Sequence, residues 1–146
     1  VIDPDIVLAK VAIIQRCLDR IRSVTHLDPN RLEDIDTQDI FVLNLQRAIQ
    51  AAIDLGAHTL ASQGRDMPAT LREIFVALAE QGLLSSAVAR AMQNMCGFRN
   101  IAVHDYRELS LDVLKSILVH HLTDLEAYYR EILALLPQPS SDQPVE

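Results

Sequence analysis

Residues 3–25 read DPDIVLAKVAIIQRCLDRIRSVT, and the spacing of their apolar positions decides the fold class. Ile6, Ala9, Ile13, Cys17, Ile21 and Val24 recur every three or four residues, the interval at which side chains stack on one side of a helix. Val7, Val11, Ile14 and Leu18 widen that stripe, so the segment has a broad apolar face and a polar back. Asp3 before Pro4 marks its start, because an Asp oxygen caps free backbone N–H groups and proline near the first helical position has no N–H to waste. The spacing predicts a helix over 3–25.

The same pattern extends along the chain. A polar connection broken by Asp28-Pro29 leads to a second amphipathic stretch that opens at Thr37 and continues to about Gln63, with Val42, Leu45, Ile49, Ala52 and Ile53 facing inward. Gly64 interrupts it, Pro68 starts a shorter helix over 68–80, and Gly82 stands at a cap position. Ser85 is the N-cap expected for a fourth helix reaching His104. Leu111, Leu114, Leu118, Leu125, Tyr129, Ile132 and Leu136 then outline one last long helix over 110–136. These segments predict an all-α fold, an antiparallel bundle of about five helices forming a single domain over 1–136, with a Pro- and Ser-rich tail at 137–146.

Composition agrees. The chain has 146 residues, 49% apolar and 23% charged, which suits one folded domain and excludes disorder over most of its length. Its longest apolar run, 74–79, is far short of the ~20 residues a membrane span needs, and the first ten residues do not resemble a secretory signal. A cytoplasmic protein with no membrane association is expected. Cys17 and Cys96 lack nearby cysteine partners and are expected to be reduced and buried. A net charge of −7 argues against nonspecific coating of nucleic acid, so any polyanion has to be held locally. Arg90, Arg99, Arg107 and Lys115 concentrate in one segment, the candidate contact surface.

The same segment holds the densest chemistry. Residues 97–106 read GFRNIAVHDY, bringing together a permanent cation, an amide, an imidazole, a carboxylate and a phenol. On a helix Asn100 and His104 share a face, whereas Arg99 and His104 point about 140° apart. A phosphate could lie between them, the helix could end near His104, or a second copy could bring its own motif close; a homodimer meeting at this helix is the preferred expectation. An imidazole is suited to proton transfer and a guanidinium to holding two phosphoryl oxygens, which is the minimum set for metal-free cleavage of RNA by its own 2′-OH. Composition alone, however, makes a lone Arg and His more often surface or capping residues than catalytic ones. Phosphate-loop, dinucleotide, zinc-protease and serine-hydrolase motifs are absent, and His26, His58, His120 and His121 show no metal-ligand spacing.

The stretch RNIAVHDY resembles the signature of HEPN-domain ribonucleases, and its Arg-x4-His-x-Tyr form is similar to that of the HepT toxin branch. The likeness extends to Phe41-Val42-Leu43-Asn44-Leu45-Gln46-Arg47-Ala48 and to AAIDL at Ala51 to Leu55, covering roughly residues 1–136. The resemblance implies a metal-independent endoribonuclease toxin that needs no cofactor and acts on RNA. In it Arg99 and His104 would be catalytic and Asn100 would orient the imidazole or bind phosphate. It also implies a minimal nucleotidyltransferase antitoxin as partner, which would neutralise the toxin by transferring AMP to Tyr106. The alternative is a non-catalytic HEPN helical module that partners a nucleotidyltransferase.

Overall fold

The computed structural model describes residues 2–104 and 109–137, apart from the side chain of His104. Asp3 caps the first helix, α1 (Pro4–Thr25), by accepting the Asp5 N–H at 2.9 Å. α1 stops where His26 takes a left-handed conformation and its N–H returns to the Arg22 carbonyl. The face that enters the core is the Val7, Val11, Ile14, Leu18 set together with Cys17 and Ile21, while Ile6 stays exposed. Both stripes are apolar in sequence, and packing against α2 selects between them.

The connection after α1 is more ordered than its polar composition suggested. Asp28 caps a short 3-10 helix over Pro29–Glu33, whose Leu32 is fully buried. Asp34 then caps α2 (Ile35–Ser62), its Oδ2 accepting both the N–H and the hydroxyl of Thr37 at 3.0 and 2.9 Å. The Thr37 N–H and then its hydroxyl hold the Asp34 carboxyl below its usual pKa. The helix thus starts two residues before Thr37, because Thr37 acts as the partner of the cap.

α3 (Leu71–Glu80) begins later than Pro68, since Thr70 supplies the cap to Glu73 N. Gly82 takes a positive φ of 73°, as the chain needs when it turns out of α3. α4 (Ser86–His104) is capped by Ser85, as expected, with the Ser85 hydroxyl accepting the Val88 N–H. The single last helix over 110–136 needs correction: it is two helices, α5 (Leu111–His120) and α6 (Leu122–Leu133). His121 breaks the ladder with φ −120° and ψ −7°, while its ring meets the Asp124 carboxylate at 2.8 Å. The fold class stands, an all-α antiparallel bundle, with six α-helices and one 3-10 helix among the described residues. The expected tail lies outside them from residue 138 onward.

α1 and α2 form the spine, tied by Lys10 to Asp54 at 3.3 Å. α6 is fixed to both, through Arg22 with Glu126 and through the Tyr128 hydroxyl donating to the Ala52 carbonyl at 2.7 Å. Burial keeps the Tyr128 phenol firmly protonated, raising its pKa. Glu131 of α6 accepts the N–H and the hydroxyl of Ser85, so the start of α4 is anchored where α6 ends. Both cysteines are buried free thiols. Among the described residues no helix is long and apolar enough to cross a membrane.

Candidate active site on the fourth helix

α4 changes character along its length. Ala89, Met92, Met95, Cys96, Phe98 and Ala102 are buried and lock the helix against α3, α6 and α2. At 100° per residue Arg90, Gln93, Gly97, Asn100 and His104 fall within about 80° of one another, on the face turned away from that core. Asn100 is exposed and Gly97 half-buried. Among the described residues a Cβ built at Gly97 would meet nothing within 4 Å, so none of them covers the middle of this face.

Arg99 lies off that polar face, about 140° around the helix from His104, and is half-buried. Burial pushes the Cys96 thiol one turn earlier up to about 11, against the opposing pull of the Arg72 and Arg99 guanidiniums. α4 remains helical through His104, so positions 100 and 104 stand one turn apart and Asn100 shares the His104 face, as expected. Arg99 is not on that face, and the helix gives no direct Arg99 to His104 approach within one chain. The His104 side chain and Tyr106, the expected modification site, lie outside the described residues, as does Arg107. Lys115, another cation of the expected contact surface, is held by Glu33 at 3.0 Å against the 3-10 helix.

The sequence pattern missed a groove beside the motif. A cavity of about 400 Å³ opens between α4 and the α5–α6 corner, walled by Phe98, Ile101, Val113 and Ile117. His121 and Asp124 line it as a hydrogen-bonded pair. The i,i+3 spacing of these two residues was visible, but reading one continuous helix hid the bend at which they line the groove. Ile101 and Val103 are half or more exposed, at 50% and 58%, so the motif end of α4 also carries unburied apolar surface. Among the described residues no group of three or more His, Cys, Asp or Glu side chains could hold a metal ion.

Residues 14–132 match a family model described as ribonuclease HepT-like. The chain belongs to this family. It is 38% identical over 130 residues to the mRNA nuclease HepT of Shewanella oneidensis, covering 89% of this chain and 98% of that one. It is 26% identical over 136 residues to the tRNA nuclease HepT of Aphanizomenon flos-aquae, covering 92% of each. A solved structure of a tri-AMPylated Shewanella oneidensis HEPN toxin in complex with MNT antitoxin superposes with a TM-score of 0.84. That toxin is 38% identical to this chain, and the match covers 90% of this chain and 99% of the toxin. A toxin-antitoxin structure with AMP-PNP gives the same TM-score and identity, covering 89% and 98%. The HepT-like resemblance of the RNIAVHDY stretch therefore reflects membership across the whole bundle.

Proposed function

We propose that this chain is the toxin of a toxin–antitoxin pair, a metal-independent endoribonuclease that a partner nucleotidyltransferase silences by AMPylation. Membership in the HepT-like family over 14–132 carries this reading, and an Arg-Asn-x3-His motif on α4, with Asn100 exposed, supports it. His104 is the general acid or base, taking the proton of the 2′-OH or returning one to the departing 5′ oxygen. Arg99 holds the phosphoryl oxygens and offsets the charge that builds on phosphorus. Asn100, one turn before His104, orients the imidazole or binds a phosphate oxygen.

The angular separation of Arg99 and His104 motivates the second part of this reading, a homodimer in which two copies of α4 face each other. One convex helix face encloses little, whereas two make a cleft lined by two arginines and two histidines. Those paired cations also offset a net charge of −7 where RNA has to approach. Control falls to Tyr106. Its phenol oxygen attacks the α-phosphorus of ATP, pyrophosphate leaves, and the attached AMP sets an anion two positions from His104 that repels RNA.

The test is cleavage of RNA by the purified protein in chelator, with His104→Ala as the matched inactive variant. Cleavage that depends on His104, together with AMP on wild type but not on Tyr106→Phe after incubation with partner and ATP, is the expected result. RNA left intact and no growth arrest on expression would instead leave a non-catalytic module that binds the nucleotidyltransferase.

A further inference from the structure

The groove between α4 and the α5–α6 corner is next to the motif, yet its chemistry is unlike the motif's. Among the described residues lining it there is no lysine or arginine, and Asp124 brings a carboxylate. A phosphate would be repelled there. The walls are apolar and include the Phe98 ring and the Ile101, Val113 and Ile117 side chains, enough to enclose a flat ring of nucleobase size. His121 Nδ1 lies 2.8 Å from Asp124 Oδ2, a contact that puts the Nδ1–H on the carboxylate and, in the neutral imidazole, leaves Nε2 as an acceptor. Asp124 Oδ1 is a second acceptor. Asn94, Ser110 and Ser116 line other parts of the groove, and at the Asp124 end the carboxylate asks its ligand for hydrogen-bond donors.

Resting on the ribonuclease reading above, we infer that this groove is a base-selective subsite, which receives one nucleobase of the RNA beside the scissile phosphate. The occupant is a base with an exocyclic amine: adenine, cytosine or guanine. That amine donates to Asp124 Oδ1 or His121 Nε2 while the ring lies against Phe98 and Ile101. Uracil is disfavoured at the Asp124 end because its edge presents two carbonyls around a single N–H, setting acceptor against acceptor there. Continuity along α4 supports the placement. Phe98 and Ile101 bracket Arg99 and Asn100 in sequence, so a strand whose phosphate sits on the motif face has its adjacent base within reach of the groove.

The experiment maps cut sites on a pool of RNAs of random sequence, using the full-length wild type, Asp124→Asn and Val113→Trp. Wild type is expected to cut with uracil depleted about tenfold at one fixed position next to the cut. Asp124→Asn exchanges an acceptor for a side chain that also donates, so the uracil depletion at that position should shrink, read as a ratio among cut sites and independent of the overall rate. Val113→Trp places an indole in the groove from a position 47% exposed, which a folded chain accommodates, and should remove the bias and lower kcat/KM. Thermal unfolding and light scattering on each variant separate these effects from loss of fold or of assembly. Cutting without base bias, or a bias that both variants retain, overturns the subsite and leaves the nuclease intact. Val113→Trp that dissociates the protein while Asp124→Asn retains the bias assigns the groove to a second copy and also overturns it. No cutting of any RNA by wild type is a different failure, because it removes the ribonuclease reading itself and the subsite with it.

Discussion

Two helical glycines, Gly56 in α2 and Gly97 in α4, separate what the bundle needs for itself from what it offers to others. A Cβ at Gly56 would come within 3.0 Å of the Tyr128 hydroxyl and 3.1 Å of Ile74 Cγ2. That tyrosine is fully buried and pinned to the Ala52 carbonyl, so Gly56 is explained by the close approach of α6 to α2. A Cβ at Gly97 would meet nothing within 4 Å among the described residues. A glycine inside a helix costs about 0.5 to 1 kcal/mol relative to alanine, and at Gly97 no contact among the described residues offsets that cost. The first glycine belongs to the fold, and the second stands on a surface that no described residue of the chain covers.

The largest effects should appear at the motif residues of α4 and leave the fold untouched. His104→Ala should reduce RNA cleavage by at least about a hundredfold with the unfolding temperature nearly unchanged, since it removes proton transfer. Arg99→Lys should also lose most activity, because an ammonium cannot make the paired contacts of a guanidinium. Single-turnover assays with parallel thermal melts check both, and a variant that loses activity only in proportion to its stability would dissolve the distinction between the two regions. On the Gly56 side the expected result is reversed. Gly56→Ala forces the Tyr128 ring or the Ile74 side chain to move in a packed core and should destabilise the protein by about 1 to 2 kcal/mol, with activity per folded molecule retained. A denaturant titration measures it.

How much was legible in the sequence follows the same division. The core helices were readable because α1 and α2 each carry two turns or more of periodic apolar residues and a capping Asp or Ser/Thr nearby. Asp34 rather than Thr37 turned out to open α2, because both side chains take part in one cap and the sequence does not say which accepts. The break at His121 was not legible. Leu118, Leu122 and Leu125 keep helical spacing across it, so the bend shows only in backbone angles and in the ring contact to Asp124. The motif residues were readable through family likeness, whereas the groove depends on that bend and could be found only in three dimensions.

A smaller effect concerns Cys96, which is on the buried side of the motif helix. Its folded pKa is raised to about 11 from an ordinary 9.0, mainly by burial. A group raised in this way contributes stability that is complete below the unfolded value and is lost as pH climbs through the folded one. Between pH 9 and 11 the wild type should therefore lose stability faster than Cys96→Ala, the difference in slope vanishing below pH 8. Chemical denaturation across that range reads it directly. Slow alkylation of the native thiol at pH 8 is the companion result, since little thiolate is present until the helix opens.

The smallest shift in stability is the most informative about the surface. Gly97→Ala should raise unfolding stability by about 0.5 kcal/mol, because alanine narrows the unfolded ensemble and finds clear space in the folded chain. Ordinary surface alanines leave function alone. Here the added methyl stands on the face shared by Gln93, Asn100 and His104, where the proposed homodimer brings two copies of α4 together. A backbone crossing that close tolerates hydrogen better than a methyl, so the more stable variant should associate more weakly and cleave RNA more slowly. Light scattering, melting curves and cleavage rates on one preparation test this. If Gly97→Ala gains stability and keeps both its assembly and its rate, the glycine marks no point of approach, and the dimer has to place its crossing elsewhere along α4.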